Sequence, residues 1–415
     1  MTDTSASSRL PTPEVGDEVA WVRSYLADLA AEDPSSIHAG ASFRGGQSAA
    51  DAALASFDVT GYAGARNEVW PQQRRGASRL SPYIRHNLLA LPRVWHHVDG
   101  GPPRDVAKYR DELLWQEYAR HLYARLGPAL SQPLRYLPPR ESHEVSNPWD
   151  RGMVCVDLAL GELEQDGWLG NQTRMWLASQ WTVRAGWGWR DGEDAFFTHL
   201  LDGSRAANRL GWQWTVGTGT GRPYGFSRHQ VTRRAPGLCR QCPLSRACPI
   251  EDWPTTDPGP ATDPHPDLRH DVDVERTAGP SEPQTTARPE AVWLTAESLG
   301  NDDPASAAHP DLPAVFVFDE PLLRRLRLSG KRLVFLAETL AESARRRRVE
   351  IHRGDPRDVL TGRAVAVTFA PVPGFARRAH VIVPAAVYPY PWLRRPGAGP
   401  VSSFSAWRKH LPARD

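Results

Sequence analysis

The cysteines are the residues whose spacing most narrows the chemistry. Cys239, Cys242 and Cys248 form a C-x2-C-x5-C run closed by Pro249, and the fourth cysteine of the chain, Cys155, stands about eighty residues earlier in GMVCVDLAL. Thiolates grouped in this way ligate iron-sulfur clusters or zinc, and four ligands close either site. A [4Fe-4S] cluster, a zinc ion and free thiols are the three readings of the set. Four cysteines are too few for a disulfide framework in 415 residues, and their crowding points to a reducing compartment. The second signal is aromatic: the chain has 16 Trp, concentrated in part between Gly167 and Tyr224. Tryptophans usually pack cores, but an aromatic ligand pocket or an electron-transfer path needs the same residues.

The elements that must position these residues fall into two regions. From Glu14 to about Pro254 apolar residues recur at helical spacing, as in Ala20, Trp21, Val22, Tyr25, Leu26 and Leu29, and again in Tyr109, Leu113, Trp115, Tyr118 and Leu122. A helical domain is therefore expected over 16–254, after a disordered N-terminus over 1–15. From Asp257 to Pro289 the chain turns to Pro, Asp, Thr and Ser with few large apolar residues, and a flexible linker is expected over 255–290. The period then changes. Short apolar runs begin at Ala291, Ala314, Val349 and Ala364, with a helical run from Leu333 to Arg348 between the second and third. Strands alternating with helices predict a small, Rossmann-like parallel α/β domain over 291–390, followed by a connecting segment over 391–415.

Bulk properties exclude more than they assign. The net charge is +2 and the pI about 8.4, so any DNA-binding surface must be a local basic patch. No run of about 18 apolar residues exists, and the N-terminus lacks the basic-then-apolar layout of a signal peptide. A soluble, cytoplasmic, monomeric protein with no membrane partner is expected.

The stretch from Gly167 to Tyr224 contains GWLGNQTRMWLASQW and then WGWRDGEDAFFTHLLDGSRAANRLGWQWTVGTGTGRPY. It resembles the FAD-binding domain of the photolyase and cryptochrome family, with its motifs in family order. FRGGQSAADAALASF, SRLSPYIR and DELLWQEY upstream extend the resemblance over nearly all of residues 40–230. The implied fold is a large all-helical FAD-binding domain followed by the small α/β domain. The implied activity is that of a deoxyribodipyrimidine photolyase, a carbon-carbon lyase that splits cyclobutane pyrimidine dimers in UV-damaged DNA with light and reduced FAD.

The resemblance also implies roles. Arg174 and Asp202 match an ion pair beside the flavin ring; a buried pair of this kind favours a functional over a stabilising reason. Asn208 matches the amide facing flavin N5. Tyr62, Ser78, Arg79, Leu80, Ser81, Tyr109 and Gln116 fall at other cofactor-binding positions, although Ser78 taken alone reads as a helix cap. Glu112, Trp115, Asn171, Met175 and Trp214 fill the five positions that touch the lesion. Glu112 is expected to be buried beside Trp115, and the indoles to clamp a flipped dimer. Trp212 and Trp189 match the proximal and middle members of a photoreducing tryptophan chain, with Trp149 a candidate for the distal member. Bacterial relatives that carry a [4Fe-4S] cluster use a cysteine arrangement similar to Cys155, Cys239, Cys242 and Cys248.

Several features depart from the family pattern. The segments after Ala291 are similar to the antenna-type domain that normally comes first, so the chain reads as a circular permutation. Ala296, Glu297, Ser298 and Leu299 replace an Arg-Asp-Leu-Arg signature, which leaves the antenna chromophore, or an empty domain, open. Gln116 stands for a common Arg, and Ser204 for a second Asp. Arg228, His229, Arg233 and Arg234 are the better candidates for DNA contact; the run Arg345 to Arg348 reads as a solvated helix end. The rival functions are a cryptochrome-like photoreceptor, a (6-4) photolyase, which Asn171 and Met175 disfavour because those enzymes place His there, and a flavoprotein that binds DNA without photochemistry.

Overall fold

The computed structural model describes residues 7–139, 141–142 and 147–411. Its chain divides into two units, each drawn from three stretches of sequence. One comprises residues 1–57, 80–97 and 273–397; the other 58–79, 98–272 and 398–415.

The first unit is built on a mixed seven-stranded sheet: β1 (Ser8–Leu10), β2 (Gln284–Thr285), β3 (Ala291–Leu294), β4 (Ala314–Asp319), β5 (Val349–Gly354), β6 (Val365–Thr368) and β7 (Ala386–Tyr388), in the order β1-β5-β4-β3-β6-β7-β2. The five central strands run parallel, while β1 and β2 close the two edges antiparallel. Every residue of β3 and β6 is buried, the pattern of parallel strands covered on both faces. The expected helix is Gly330–Ala344, buried from Gly330 through Ala341. It stops where the four arginines begin. Arg347 donates to the carbonyls of His309 and Leu312, and Arg348 pairs with Glu350 at 3.1 Å. The basic run is thus a helix end, occupied in part by local partners.

Three sequence expectations need correction. The N-terminus is not wholly disordered: Ser8, Arg9 and Leu10 pair with Arg353, His352 and Ile351. The linker is not a free tether. Leu268 is buried, Asp271 forms an ion pair with Arg125 at 3.2 Å with both side chains about 2% exposed, and β2 joins the sheet. A few apolar anchors and one buried charge are enough to dock a segment whose average composition reads as unstructured. The helical region also does not form one domain. Residues 16–57 and 80–97 belong to the unit with the sheet, including helices Glu18–Tyr25 and Gln47–Ser56, and residues 398–411 belong to the helical unit. Helical periodicity records an apolar stripe but not which layer covers it.

The second unit is helical: α1 (Pro103–Leu126), α2 (Val154–Asp166), α3 (Asn171–Ser179), α4 (Trp189–His199), α5 (Arg205–Val216) and α6 (Arg228–Arg234). Helix α5 is its hub and packs against α1, α3 and α4. One core cluster joins Trp149, Cys155, Trp176, Trp181, Trp189, Phe196 and Trp212. Among the described residues no helix is long and apolar enough to cross a membrane.

Replacing Asp271 by Ala takes the carboxylate partner from the buried Arg125 charge. Stability should fall by roughly 3–5 kcal/mol, the usual cost of breaking a buried pair, read from the urea midpoint. A loss below about 1 kcal/mol, the range of exposed pairs, would contradict the docking of the 258–272 segment.

Candidate functional site

The turn before α5 and its first helical turns carry the polar centre of the helical unit. Ser204 caps the helix, its Oγ accepting the Ala206 N–H at 3.3 Å, so the residue that departs from the family pattern does structural work here. Asp202 precedes the cap and Asn208 lies one turn inside. From α3, Arg174 Nη2 donates to Asp202 Oδ2 at 2.7 Å and its Nε to the Leu169 carbonyl at 3.0 Å. Asp202 and Asn208 are buried, yet Asp202 Oδ1 and Asn208 Nδ2 have no hydrogen-bond partner among the described residues. Leaving such a group unmet costs about 1–3 kcal/mol, a cost that a polar ligand at this centre would offset.

Helix α1 supplies a second wall. Tyr109 and Tyr62 meet edge to face at 4.8 Å, and burial drives both phenols above the ordinary tyrosine range, with the charge of Glu112 adding to the effect at Tyr62. Asp105 fastens the Tyr62 turn to α1 by accepting the Gly61 and Ala63 N–H groups at 2.9 and 2.8 Å. Ser78 lies beside the Tyr109 phenol and is no helix cap, because the following helix starts at Ser81 with Leu80 at its N-cap. Arg79 adopts a left-handed backbone, φ 57°, and lies over the Trp168 ring at 5.3 Å. Gln116 is half-buried on α1. Leu80 and Ser81 belong to the unit with the sheet.

The five lesion positions come from α1, α3 and α5. Glu112 is not buried as expected: its side chain is 29% exposed and held by Lys108 at 2.9 Å and Arg66 at 3.1 Å. Neither cation was picked out by the sequence reading; Lys108 sits one helical turn before Glu112, the spacing that pairs side chains. Trp115 stacks flat on Phe404, centroids 3.9 Å apart and planes 10° apart. One face of that indole is therefore already covered. The Asn171 amide donates to the Met175 sulfur at 3.5 Å, and Trp214, 39% exposed, leans on Tyr224 at 5.2 Å.

The structure brings Trp212 and Trp149 each beside Trp181. Trp212 packs on Phe196 at 4.9 Å and on Trp181 at 6.4 Å, and Trp181 meets Trp149 at 4.9 Å. Trp189 is buried, but among the described residues its ring pairs with no aromatic ring; it lies beside the Arg190 guanidinium at 4.9 Å. Sequence reading also passed over Glu193, a lone acid on the apolar face of α4. It is 2% exposed and paired with Arg205, with Arg209 at 3.8 Å, and burial pushes its carboxyl up to about 7.

The four cysteines converge. Cys155 from α2 and Cys239, Cys242 and Cys248 after α6 line one cavity together with Met153, Val231 and Ile250. None of the four forms a disulfide. Burial pushes Cys155 up to about 12, and Cys239, Cys248 and Cys242 each add to that shift. Among the described residues, no three His, Cys, Asp or Glu side chains stand close enough to share one metal ion. Of the DNA-contact candidates, Arg228 is bound to Glu251 at 2.7 Å and Arg234 to Glu68 at 3.2 Å, while His229 and Arg233 are exposed.

Comparison with known proteins bears on this helical unit. Residues 109–233 match the model of the FAD binding domain of DNA photolyase. The deoxyribodipyrimidine photo-lyase of Vibrio cholerae is 35% identical over 166 residues, 36% of this chain and 35% of that protein. A deoxyribodipyrimidine photo-lyase of Thermus thermophilus is 35% identical over 187 residues, 42% of this chain and 43% of that protein. A bacterial class III photolyase from Agrobacterium tumefaciens, solved by crystallography, aligns with 27% identity and a TM-score of 0.37 over 41% of this chain and 37% of its own. The chain thus spans well under half the length of the curated relatives it matches. The stretch that matches the family model lies within the helical unit.

Glu193 predicts a pH dependence of stability. Its folded-state value of about 7 lies above the ordinary 4.5, so between these values the folded chain keeps a proton that the unfolded chain releases. That stabilisation is complete below pH 4.5 and is lost as pH rises through 7. Asp303 and Glu338, also pushed up to about 7 by burial, act in the same direction. Thermal midpoints of Glu193→Gln should fall less across this window than those of the unaltered chain; an identical slope would contradict the assignment.

Proposed function

We propose that this chain binds FAD in its helical unit and repairs cyclobutane pyrimidine dimers in UV-damaged DNA under blue or near-ultraviolet light. The observation that carries the reading is the pairing of Arg174 with Asp202 beside two buried, unmet polar atoms, Asp202 Oδ1 and Asn208 Nδ2, within the stretch that matches the FAD binding domain model. An amide and a carboxylate suit the edge of a flavin, which offers both donors and acceptors. When bound, reduced FAD supplies the excited electron that opens the cyclobutane ring and takes it back.

The residues of the chain do the rest. Arg174 fixes the Asp202 carboxylate, Ser204 fixes the start of α5, and Tyr62 with Tyr109 gives the site a dry wall. Trp115, braced by Phe404, presents one free face to a flipped dimer, and Trp214 offers a partly exposed second ring; stacking of this sort contributes roughly 1–3 kcal/mol per base. Asn171 hydrogen-bonds a pyrimidine edge. Glu112 orders the rim through Lys108 and Arg66 and turns to the lesion when the dimer enters. His229 and Arg233 contact phosphates, so affinity for DNA falls with salt.

The cysteine cavity fits a cluster better than zinc. The four thiols line one cavity, and burial raises the Cys155 and Cys248 thiols, a cost that a bound metal group would offset. A zinc ion needs all four sulfurs at about 2.3 Å from one centre, and no three of these side chains meet that demand. A [4Fe-4S] cluster gives each cysteine its own iron. Its role is to hold the segment after α6 against α2. The order of the chain, with strands β3 to β7 after the matched stretch, supports a circular permutation, and the α/β unit is where an antenna pigment would bind.

Chemically reduced protein should restore thymine absorbance to a dimer-containing oligothymidine only in the light, and Glu112→Ala should lower the repair yield while flavin stays bound. Flavin binding without repair would replace this reading with a photoreceptor. The purified chain should contain about four irons, and Cys242→Ala should lose them; stoichiometric zinc, or no metal, would contradict the cluster.

A further inference from the structure

Resting on the repair reading above, we propose that Trp253 stacks on a base of the damaged strand next to the dimer, and that Arg222 meets a phosphate beside that base. Among the described tryptophans only Trp253 and Trp214 are exposed, at 53% and 39%. Trp214 already has the lesion as its partner. Trp253 has none: among the described residues its ring pairs with no other aromatic ring and its indole N–H with no acceptor.

The chain brings this ring to the lesion side of the helical unit and holds it there. Trp214, near the end of α5, leans on Tyr224 at 5.2 Å. The next residue, Gly225, lies under the 253–254 backbone: a Cβ there would stand 2.7 Å from Pro254 Cγ and 3.6 Å from Trp253 Cε3. Trp253 is thus one glycine away from the ring that supports Trp214. Its backbone is tied on both sides. Before it, Arg184 Nη2 donates to the Asp252 and Phe226 carbonyls, each at 2.6 Å, and Nη1 to the Pro249 carbonyl at 3.4 Å. After it, the Leu137 N–H donates to the Pro260 carbonyl and the Thr262 N–H to the Arg135 carbonyl, each at 2.9 Å. A fixed backbone carrying an indole more than half exposed loses little freedom when a flat partner lands on it.

Charge identifies that partner. Arg222, two residues before Tyr224, is exposed and pairs with no acid among the described residues. The acids beside Trp253 are both engaged: Glu251 pairs with Arg228 at 2.7 Å, and Asp252 interacts with Arg184. What is left uncommitted is an indole face and a cation, which match a base and a phosphate of a nucleic-acid strand. A protein partner would need an apolar patch, yet the exposed neighbours Glu251, Asp252, Thr255 and Thr256 are polar. Flipping the dimer out of the duplex also leaves the adjoining base with one bare face. Trp115 and Trp214 act on the dimer; Trp253 acts on the base it leaves behind.

A cycle of binding measurements on the flavin-loaded full chain, with a dimer-containing duplex followed by fluorescence anisotropy, tests the contact. Trp253→Ala should weaken binding about tenfold, the loss of one stacked base, and Trp253→Phe should regain most of it. An abasic site is then placed on either side of the dimer in turn. On one side it should cost the unaltered chain a similar factor and Trp253→Ala almost nothing, because that variant has already lost the stack. Arg222→Ala should lower the slope of log affinity against log salt by about 1, and Trp253→Ala should leave it unchanged. Undiminished affinity in Trp253→Ala, or additive losses on both sides of the dimer, would overturn the proposal. So would a Trp253→Ala chain whose only change is weaker self-association. Light-driven repair by the unaltered chain with additive losses removes the Trp253 contact alone, whereas no binding of the damaged duplex by the unaltered chain removes the repair reading with it.

Discussion

The ion pair between Arg174 and Asp202 is the constraint on which the rest of the helical unit depends. It joins α3 to the turn that starts α5, and α5 in turn packs on α1, α3 and α4. A buried pair contributes little net stability unless its remaining lone pairs and protons are met. Here the Arg174 Nε is satisfied by Leu169 while Asp202 Oδ1 is left open. That imbalance is tolerable in a site that closes around a polar ligand. It sets the direction of α5, and α5 places Asn208, Trp212 and Trp214 at successive levels of one helix.

What the sequence made legible is the chemistry carried by local patterns. The cysteine run predicted a shared site, and Cys155, Cys239, Cys242 and Cys248 do line one cavity. The apolar runs at Ala291, Ala314 and Ala364 became β3, β4 and β6, because buried parallel strands read as unbroken apolar stretches, and the alternating run at Val349 became the partly buried β5. Arg174 with Asp202 also came together as the motif order implied. Each of these signals is either short in range or chemically unusual.

What stayed hidden depends on partners distant in sequence. Asp271 sits in a segment of polar, proline-rich composition, and only its pairing with Arg125 shows that the segment is docked. Glu112 was expected to be buried, but Lys108 and Arg66 draw it toward the rim. Trp181 ends the GWLGNQTRMWLASQW stretch with no role assigned to it; a π turn and the bare backbone of Gly192 bring it to Trp212. Composition and periodicity do not encode such three-body arrangements, and a single helical pattern cannot say which of two units will cover its apolar face.

The most direct measurement is equilibrium binding of FAD to the full chain, compared with Asp202→Ala and Asn208→Ala. If the unmet atoms of these residues face the cofactor, the unaltered chain binds one FAD and each variant binds it about tenfold or more weakly, since a hydrogen bond to a charged group is worth roughly 1.5–3 kcal/mol. Absence of FAD binding, or equal affinity in all three proteins, would contradict the account.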